Sequence, residues 1–402
     1  EFVTMAKQVP VLINYSVGNK RFEKTPDEFD LALIEKIYNM EIPYWYPTDE
    51  LPNGYNTEQP KRSHGVTHVH YFYTKRTQYL LATLYANIEQ SPIKSALLTL
   101  ITGIVNRNAF KCNRFVINKY NPNGRINGPK SGTLYIPSLV VEQNICELLR
   151  YKISYLKNIF CSKNQTSIIT TQSSTELPQI ASSSCDYIFT DPPFGENLNY
   201  SELNFIWETW LKVKTNNKAE AVINKIQKKS IIQYQDLITK CFKEFYRILK
   251  PNRWMTVEFH NSKNAIWNSI QEALHCAGFI IADVRVLDKK RASLHQLVAS
   301  TAVQQDLAIT AYKPKESFKR EFISHAGSEE TAWSFVRQHL EKLPVVVFKN
   351  GKIELIAERQ AFLLYDRMVA YHIMNGIAVP LDATDFYKGL DERFLKRDGM
   401  YF

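Results

Sequence analysis

Glycine is scarce in this sequence, 14 in 402 residues, about half the usual ~7% share of soluble chains. No two glycines stand two positions apart, which excludes the G-x-G turns of dinucleotide loops, and the Walker phosphate loop is missing as well. Cysteine is equally sparse. The six, at positions 112, 146, 161, 185, 241 and 276, never come closer than 15 residues. That leaves no C-x-x-C metal knuckle and argues against a disulfide framework at this length. Reduced thiols predict a cytoplasmic protein. No apolar run approaches the ~18 residues of a membrane span, and the opening EFVTMAKQVPVLINYSVG lacks a signal-peptide cleavage pattern.

What is present is a globular balance, 45% hydrophobic and 22% charged, long enough for two or three domains. Fifty Lys and Arg stand against forty Asp and Glu, a net charge of +10, and a basic surplus favours a polyanionic partner. The patterning divides into four stretches. Residues 1–62, rich in Pro and aromatics, predict an extended arm with one helix around Asp30–Met40. Residues 63–165 predict helices, with Leu80, Leu81, Leu84, Tyr85 and Ile88 on one face. Within them, Arg107–Val140 holds six basic residues, no acidic one and several Asn and Gly, a composition that predicts a long basic loop. Residues 166–314 alternate strands (Ser167–Thr171, Asp186–Thr190, Trp254–Phe259, Phe279–Leu287, Asp306–Tyr312) with helices (Tyr234–Leu249, Ala265–Leu274). This order predicts an α/β sheet with helices on its faces, the last two strands free to pair antiparallel. Residues 315–402 predict a small C-terminal α+β module, with a hairpin turning at Lys349-Asn-Gly.

The sharpest chemical signal is Asp191-Pro192-Pro193-Phe194, placed where the strand Asp186–Thr190 ends. Ligands of open α/β sheets bind at the carboxyl ends of strands. Two prolines fix a stiff turn that neither extends the strand nor starts a helix. A carboxylate beside such carbonyls makes a rigid group of acceptors for the exocyclic amine of a planar base, and the next aromatic ring can stack on that base. Drawing protons from the amine lets its nitrogen attack an electrophilic methyl group. The bland alternative is a Pro-Pro turn with Phe194 in the core, and for the bare tetrapeptide the two readings weigh evenly.

The surroundings tip the balance. TSIITTQSSTELPQIASSSCDYIFTDPPFGENLNYSELNFIWETWL resembles the catalytic half of S-adenosyl-L-methionine (AdoMet)-dependent amino-methyltransferases acting on DNA, in particular the large bacterial adenine-specific methylases. YRILKPNRWMTVEFHNSKNAIWNSIQEALHCAGF is similar to their next helix–strand–helix, and THVHYFYTKRTQYLLATL resembles their Phe-Thr-x-Arg helix start, placing Thr74 as a cofactor candidate. The resemblance implies a Rossmann-type methyltransferase sheet with a helical insertion. It implies catalytic positions at Asp191, Pro192, Pro193 and Phe194 and, because a duplex hides the amine in its stack, base flipping. It further implies AdoMet as cofactor, DNA as partner and, as target, N6 of adenine ahead of N4 of cytosine, which the DPPF turn alone does not separate. Ser173 and Ser174 stand where the family carries an acidic residue near the cofactor's adenine, and Asn252-Arg253 replaces the usual Gly-Gly.

The family's F-x-G-x-G cofactor loop has no counterpart here, so a preceding segment or a second chain is expected to carry it. The rival readings are an RNA base methyltransferase and an inactive nucleic-acid-binding subunit. Lys111, Arg114, Lys119, Arg125 and Lys130 are candidates for a phosphate backbone, or else a solvated insertion. Tyr200 is a further nucleic-acid candidate, whereas the rest of Tyr200–Trp210 has core spacing. His64, His68 and His70 lack a fourth ligand and predict no metal site.

Overall fold

Two bodies of structure share the chain, which passes between them at residues 170/171, 198/199 and 217/218. The computed structural model describes residues 6–160, 167–196, 198–261, 263–287, 306–349 and 352–402. One unit comprises Glu1–Thr170 and Asn199–Asn217, the other Thr171–Leu198 and Lys218–Phe402.

The first unit is helical. Helices α1 (Glu28–Tyr38), α2 (Tyr55–His64), α3 (Lys75–Glu89), α4 (Lys94–Val105), α5 (Ile145–Phe160) and α6 (Tyr200–Glu208) carry hairpins β1–β2 (Ile13–Val17, Lys20–Lys24) and β3–β4 (Arg114–Asn118, Asn121–Asn127). Leu81, Tyr85 and Ile88 of α3 pack with Ile101, Ile104 and Val105 of α4 and with Phe205, Ile206 and Trp210. Spacings of three and four turn these side chains to one side, and each buried large side chain stabilises by about 1.5–3 kcal/mol. The aromatic run Tyr200–Trp210 is thus mostly core. Its polar atoms are paired: the Trp210 indole donates to the Tyr73 hydroxyl at 3.2 Å, and Tyr73 donates to the Val105 carbonyl at 3.0 Å.

A buried carboxylate ties α6 to α2. Glu202, 3% exposed, accepts from the Asn56 backbone amide at 2.8 Å and from its side-chain amide at 3.2 Å. It lies where the positive end of the α2 dipole favours an anion. A Cβ at Gly54 would stand 2.2 Å from the Glu202 carboxyl carbon, so only glycine lets the carboxylate in.

Three expectations for this part of the chain are corrected. The arm holds a hairpin and a second helix, α2, which runs through Pro60; an internal proline reads as a breaker. The long basic loop contains β3–β4, whose period-two pattern is hidden by Asn and Arg. Residues 167–171 form no strand, and Ile168 and Ile169 are 91% and 93% exposed, because β-rich residues make a strand only beside a partner.

The second unit has a mixed α/β architecture. Its four-stranded sheet runs in the order β5 (Cys185–Thr190), β6 (Leu249–Phe259), β8 (Asp306–Tyr312), β7 (Ile280–Leu287). β5 and β6 are parallel, with Tyr187 opposite Trp254 and Thr190 opposite Val257, and β8 is antiparallel to both of its neighbours. The expected antiparallel pairing of the last two strands is therefore observed. Asn252 adopts the left-handed region at φ 66°, a conformation asparagine tolerates better than most residues. Helix α7 (Ile231–Ile248) starts on a Ser230/Gln233 capping box and buries Tyr234, Ile238 and Phe242. Helix α8 (Asn264–Cys276) buries Ile266, Ile270, Ala273 and Leu274. Both cover one face of the sheet through Met255, Val257 and Phe259.

The C-terminal elements α9 (Glu316–Ser324), α10 (Glu330–Lys342), α11 (Ala361–Met374) and α12 (Ala383–Arg393) pack on Ile280, Ala282 and Tyr312 of the same sheet. β9–β10 (Val347–Lys349, Lys352–Glu354) pair as a hairpin whose turn lies outside the described residues. Buried Arg359 donates to the carbonyls of Pro344, Leu340, Leu343 and Tyr401 at 2.7–3.0 Å. Among the described residues no helix is long and apolar enough to cross a membrane.

Candidate active site

The turn that follows β5 is fixed from two sides. Tyr234, at the start of α7, donates its hydroxyl to the Pro193 carbonyl at 2.8 Å. Asn261, just past the end of β6, donates its side-chain amide to the Phe194 carbonyl at 2.8 Å and accepts from the Lys263 amide at 2.8 Å. The Trp267 indole in turn donates to the Asn261 carbonyl at 2.8 Å. The Phe194 ring meets Phe259 edge-on at 5.2 Å and lies 6.1 Å from the His260 ring. His260 Nδ1 lies 2.8 Å from a carboxylate oxygen of buried Asp306. Gly195 closes the turn at φ 75°, and a Cβ there would come within 2.6 Å of Ile266.

The consequence is a preset tetrapeptide. Pro192 is buried, Pro193 and Phe194 are half-buried, and Asp191 is exposed at the carboxyl end of its strand. Burial raises the Tyr234 hydroxyl far above the ordinary phenol range, so it remains a donor to Pro193 throughout the physiological range. Tyr234 and Asn261 escaped the sequence reading. Asn261 had a usable signal, since it directly follows the strand beside β5, where sheet sites gather.

The other candidates fall in several places. Ser173 and Ser174 belong to the same unit as the turn, and the Ser173 hydroxyl is 2.9 Å from that of Thr175. Thr74 belongs to the first unit, as N-cap of α3. Its hydroxyl donates to Glu142 at 2.7 Å, and Arg76 and Thr77 donate to the same oxygen at 3.0 and 3.2 Å. Glu142 thereby consumes the polar groups at this helix start.

Arg114 and Arg125 share one face of β3–β4, because Val116, two residues from Arg114, pairs with Arg125. Lys119 and Tyr120 form the exposed tip, the ammonium 4.9 Å from the ring centre, and Lys130 is exposed beyond the hairpin. Lys111 differs. Burial pulls its ammonium down to about 8, which leaves it mostly charged at neutral pH, but the half-buried side chain gives a phosphate less access than the exposed lysines. Tyr200 opens α6 and is 38% exposed. His70 is drawn down to about 4 by burial, with His68 and Lys75 adding repulsion. Among the described residues no group of three or more His, Cys, Asp or Glu is placed to hold a metal.

Residues 185–351 match the family model N6_N4_Mtase, DNA methylase. The matched stretch opens on β5 and includes the turn, α7, β6, α8, β7 and β8, so this segment is similar to DNA methylases over the whole sheet. No curated protein matches the chain. Among solved structures, a SAM-dependent methyltransferase from Methanosarcina mazei is 11% identical over 36% of this chain and 66% of its own, at a TM-score of 0.21. A candidate DNA modification methylase from Thermus thermophilus is 12% identical over 40% of this chain and 59% of its own, at a TM-score of 0.20. The same Thermus protein complexed with S-adenosyl-L-methionine scores 0.21, at 12% identity over 41% of this chain and 72% of its own. The chain thus spans less than two thirds of the first two structures it matches, and at such scores these likenesses decide nothing further about it.

Proposed function

We propose that the DNA-methylase-like segment methylates the exocyclic amine of a DNA base, N6 of adenine, after the base is flipped out of the duplex. The observation that carries this reading is the Asp191–Phe194 turn, held rigid at the carboxyl end of β5 by Tyr234 and Asn261. We assign the acceptor role for the amine to the Asp191 carboxylate, exposed at the carboxyl end of β5, and to the Pro192 carbonyl beside it. Adenine presents at N6 an amine whose lone pair is delocalised into the ring. Acceptors that hold its protons localise that pair and make the nitrogen a nucleophile. Phe194, pinned by Phe259, supplies a ring for the flipped base to lie against.

AdoMet, when bound, supplies the electrophilic methyl group. The described residues do not fit it as a complete site. No G-x-G turn exists in the sequence, Thr74 is committed to Glu142, and Ser173 is engaged with Thr175. We therefore assign the base-binding half of the site to this chain and the cofactor half to a segment or second polypeptide bearing a glycine loop. The exposed residues Lys119, Arg125 and Lys130, together with half-buried Arg114, serve as phosphate contacts that carry no sequence information.

The test is Asp191→Ala in the protein completed with its glycine-loop segment. Removing a transition-state acceptor lowers the methylation rate by about 10²–10³, while unfolding midpoint and DNA affinity stay at wild-type values. Full-rate methylation by this variant rules out the assignment.

A further inference from the structure

The first unit holds a second candidate binding site. A cavity of about 330 Å³ is lined by Trp45, Asp49, Thr209, Lys212, Val213 and Lys214, all within that unit. Two features set it apart from an ordinary surface cleft. Trp45 is 42% exposed, a large ring with a polar handle of the kind enriched at interfaces. Lys212, which ends the short helix Thr209–Leu211 in the left-handed conformation common at helix C-termini, places its ammonium over two rings, 4.3 Å from the centre of Trp45 and 5.1 Å from that of Tyr85. Two residues on, Lys214 reaches the same cavity and pairs with Asp49 at 2.9 Å. With Asp49 set against two lysines, the lining carries a net charge of +1.

We infer that this cleft binds one unstacked nucleotide of single-stranded nucleic acid, its phosphate on Lys212 and Lys214 and its base on Trp45. The identity of the polymer rests on the DNA reading above. A cation–π contact at an exposed site is weak, whereas a phosphate oxygen offers an ammonium a charge-assisted hydrogen bond. An arriving phosphate therefore draws Lys212 off the rings and uncovers the indole for the base. Cations beside an aromatic platform are what sequence-tolerant binding of single strands requires. In a methylase that opens a duplex to extract its target, the unpaired stretch supplies such a nucleotide.

The experiment uses the whole chain and two labelled oligomers of about eight nucleotides, within the usual site size: oligothymidylate and its abasic counterpart. Fluorescence anisotropy gives the affinities. Trp45→Ala weakens oligothymidylate binding about tenfold and leaves the abasic oligomer unchanged. Trp45→Phe restores most of the loss, Lys212→Ala weakens both oligomers, and Asp49→Asn tightens both. Wild-type affinity of Trp45→Ala for oligothymidylate overturns the inference, and so does an equal loss for both oligomers, because the base is then not being read. Neutralising Lys119 and Arg125 is the independent arm. If that lowers duplex affinity while Trp45→Ala changes nothing, the DNA reading stands and the cleft assignment falls. If the wild-type chain binds neither single strands nor duplex, both fall.

Discussion

The two sides of β5 are built to opposite standards. Towards β6 the strand is paired in continuous register from Tyr187 to Thr190, its following turn is held by Tyr234 and Asn261, and the covered sheet face is dry, with Met255, Val257 and Phe259 each 0% exposed. Away from β6 no strand among the described residues pairs with it, and on the face turned away from the α7/α8 core Tyr187 and Phe189 are 55% and 59% exposed. Parallel strands are ordinarily covered on both faces, and bare edges invite pairing. The contrast separates two requirements of the same chemistry. On the function proposed above, the base is held from the finished side and the cofactor from structure beside the open one.

The largest effect that would break this contrast is cofactor binding. Residues 1–402 alone should show no uptake of AdoMet by calorimetry at micromolar concentrations, and a glycine-loop segment, fused or added separately, should restore both binding and methylation. Micromolar binding by the chain alone would mean that the open side is already complete. Next in size is Met255→Ala on the finished side, expected to cost about 2–5 kcal/mol in urea unfolding through the cavity it leaves. Asn261→Ala should cost about 1–3 kcal/mol by unpairing the Phe194 carbonyl and the Lys263 amide. It should also slow single-turnover methylation in the completed protein, because the turn is no longer preset. The smallest effect belongs to the open side: Phe189→Ala should change the stability of the isolated chain by less than about 0.5 kcal/mol. A loss as large as that of Met255→Ala would show that Phe189 is covered in solution.

The same contrast explains what could be read from the sequence. α7, α8 and β6 were legible because their apolar residues recur with a helical or strand period against a core that lies within the same unit. The Asp191–Phe194 turn was legible because its position at a strand end carries meaning apart from any partner. The stretch Ser167–Thr171 misled for the opposite reason: its β-branched residues speak of a strand, yet among the described residues no strand pairs with it. Pro60 hid α2, and Asn and Arg hid the β3–β4 hairpin, since composition was louder there than alternation. Tyr234 acts through a single hydrogen bond to a backbone carbonyl, which no spacing in a sequence announces, and Asn261 is marked only by its place just past β6.

The excursion of Asn199–Asn217 into the first unit has a consequence for taking the molecule apart. Glu202, which caps α2, and Trp210, which fills the first core, both lie on this excursion. A polypeptide ending at Thr170 would lack them, and one beginning at Thr171 would carry them without their sockets. The first fragment would lack part of its core and the second would carry α6 without its packing partners, so a protease nick between Thr170 and Thr171 divides the chain but not the first unit's core. The peptide leaving Gly195 is also moored at its far end by the packing of α6. Melting the helical unit would cast off that mooring, so heating could silence the turn before a single strand of its own sheet had come apart.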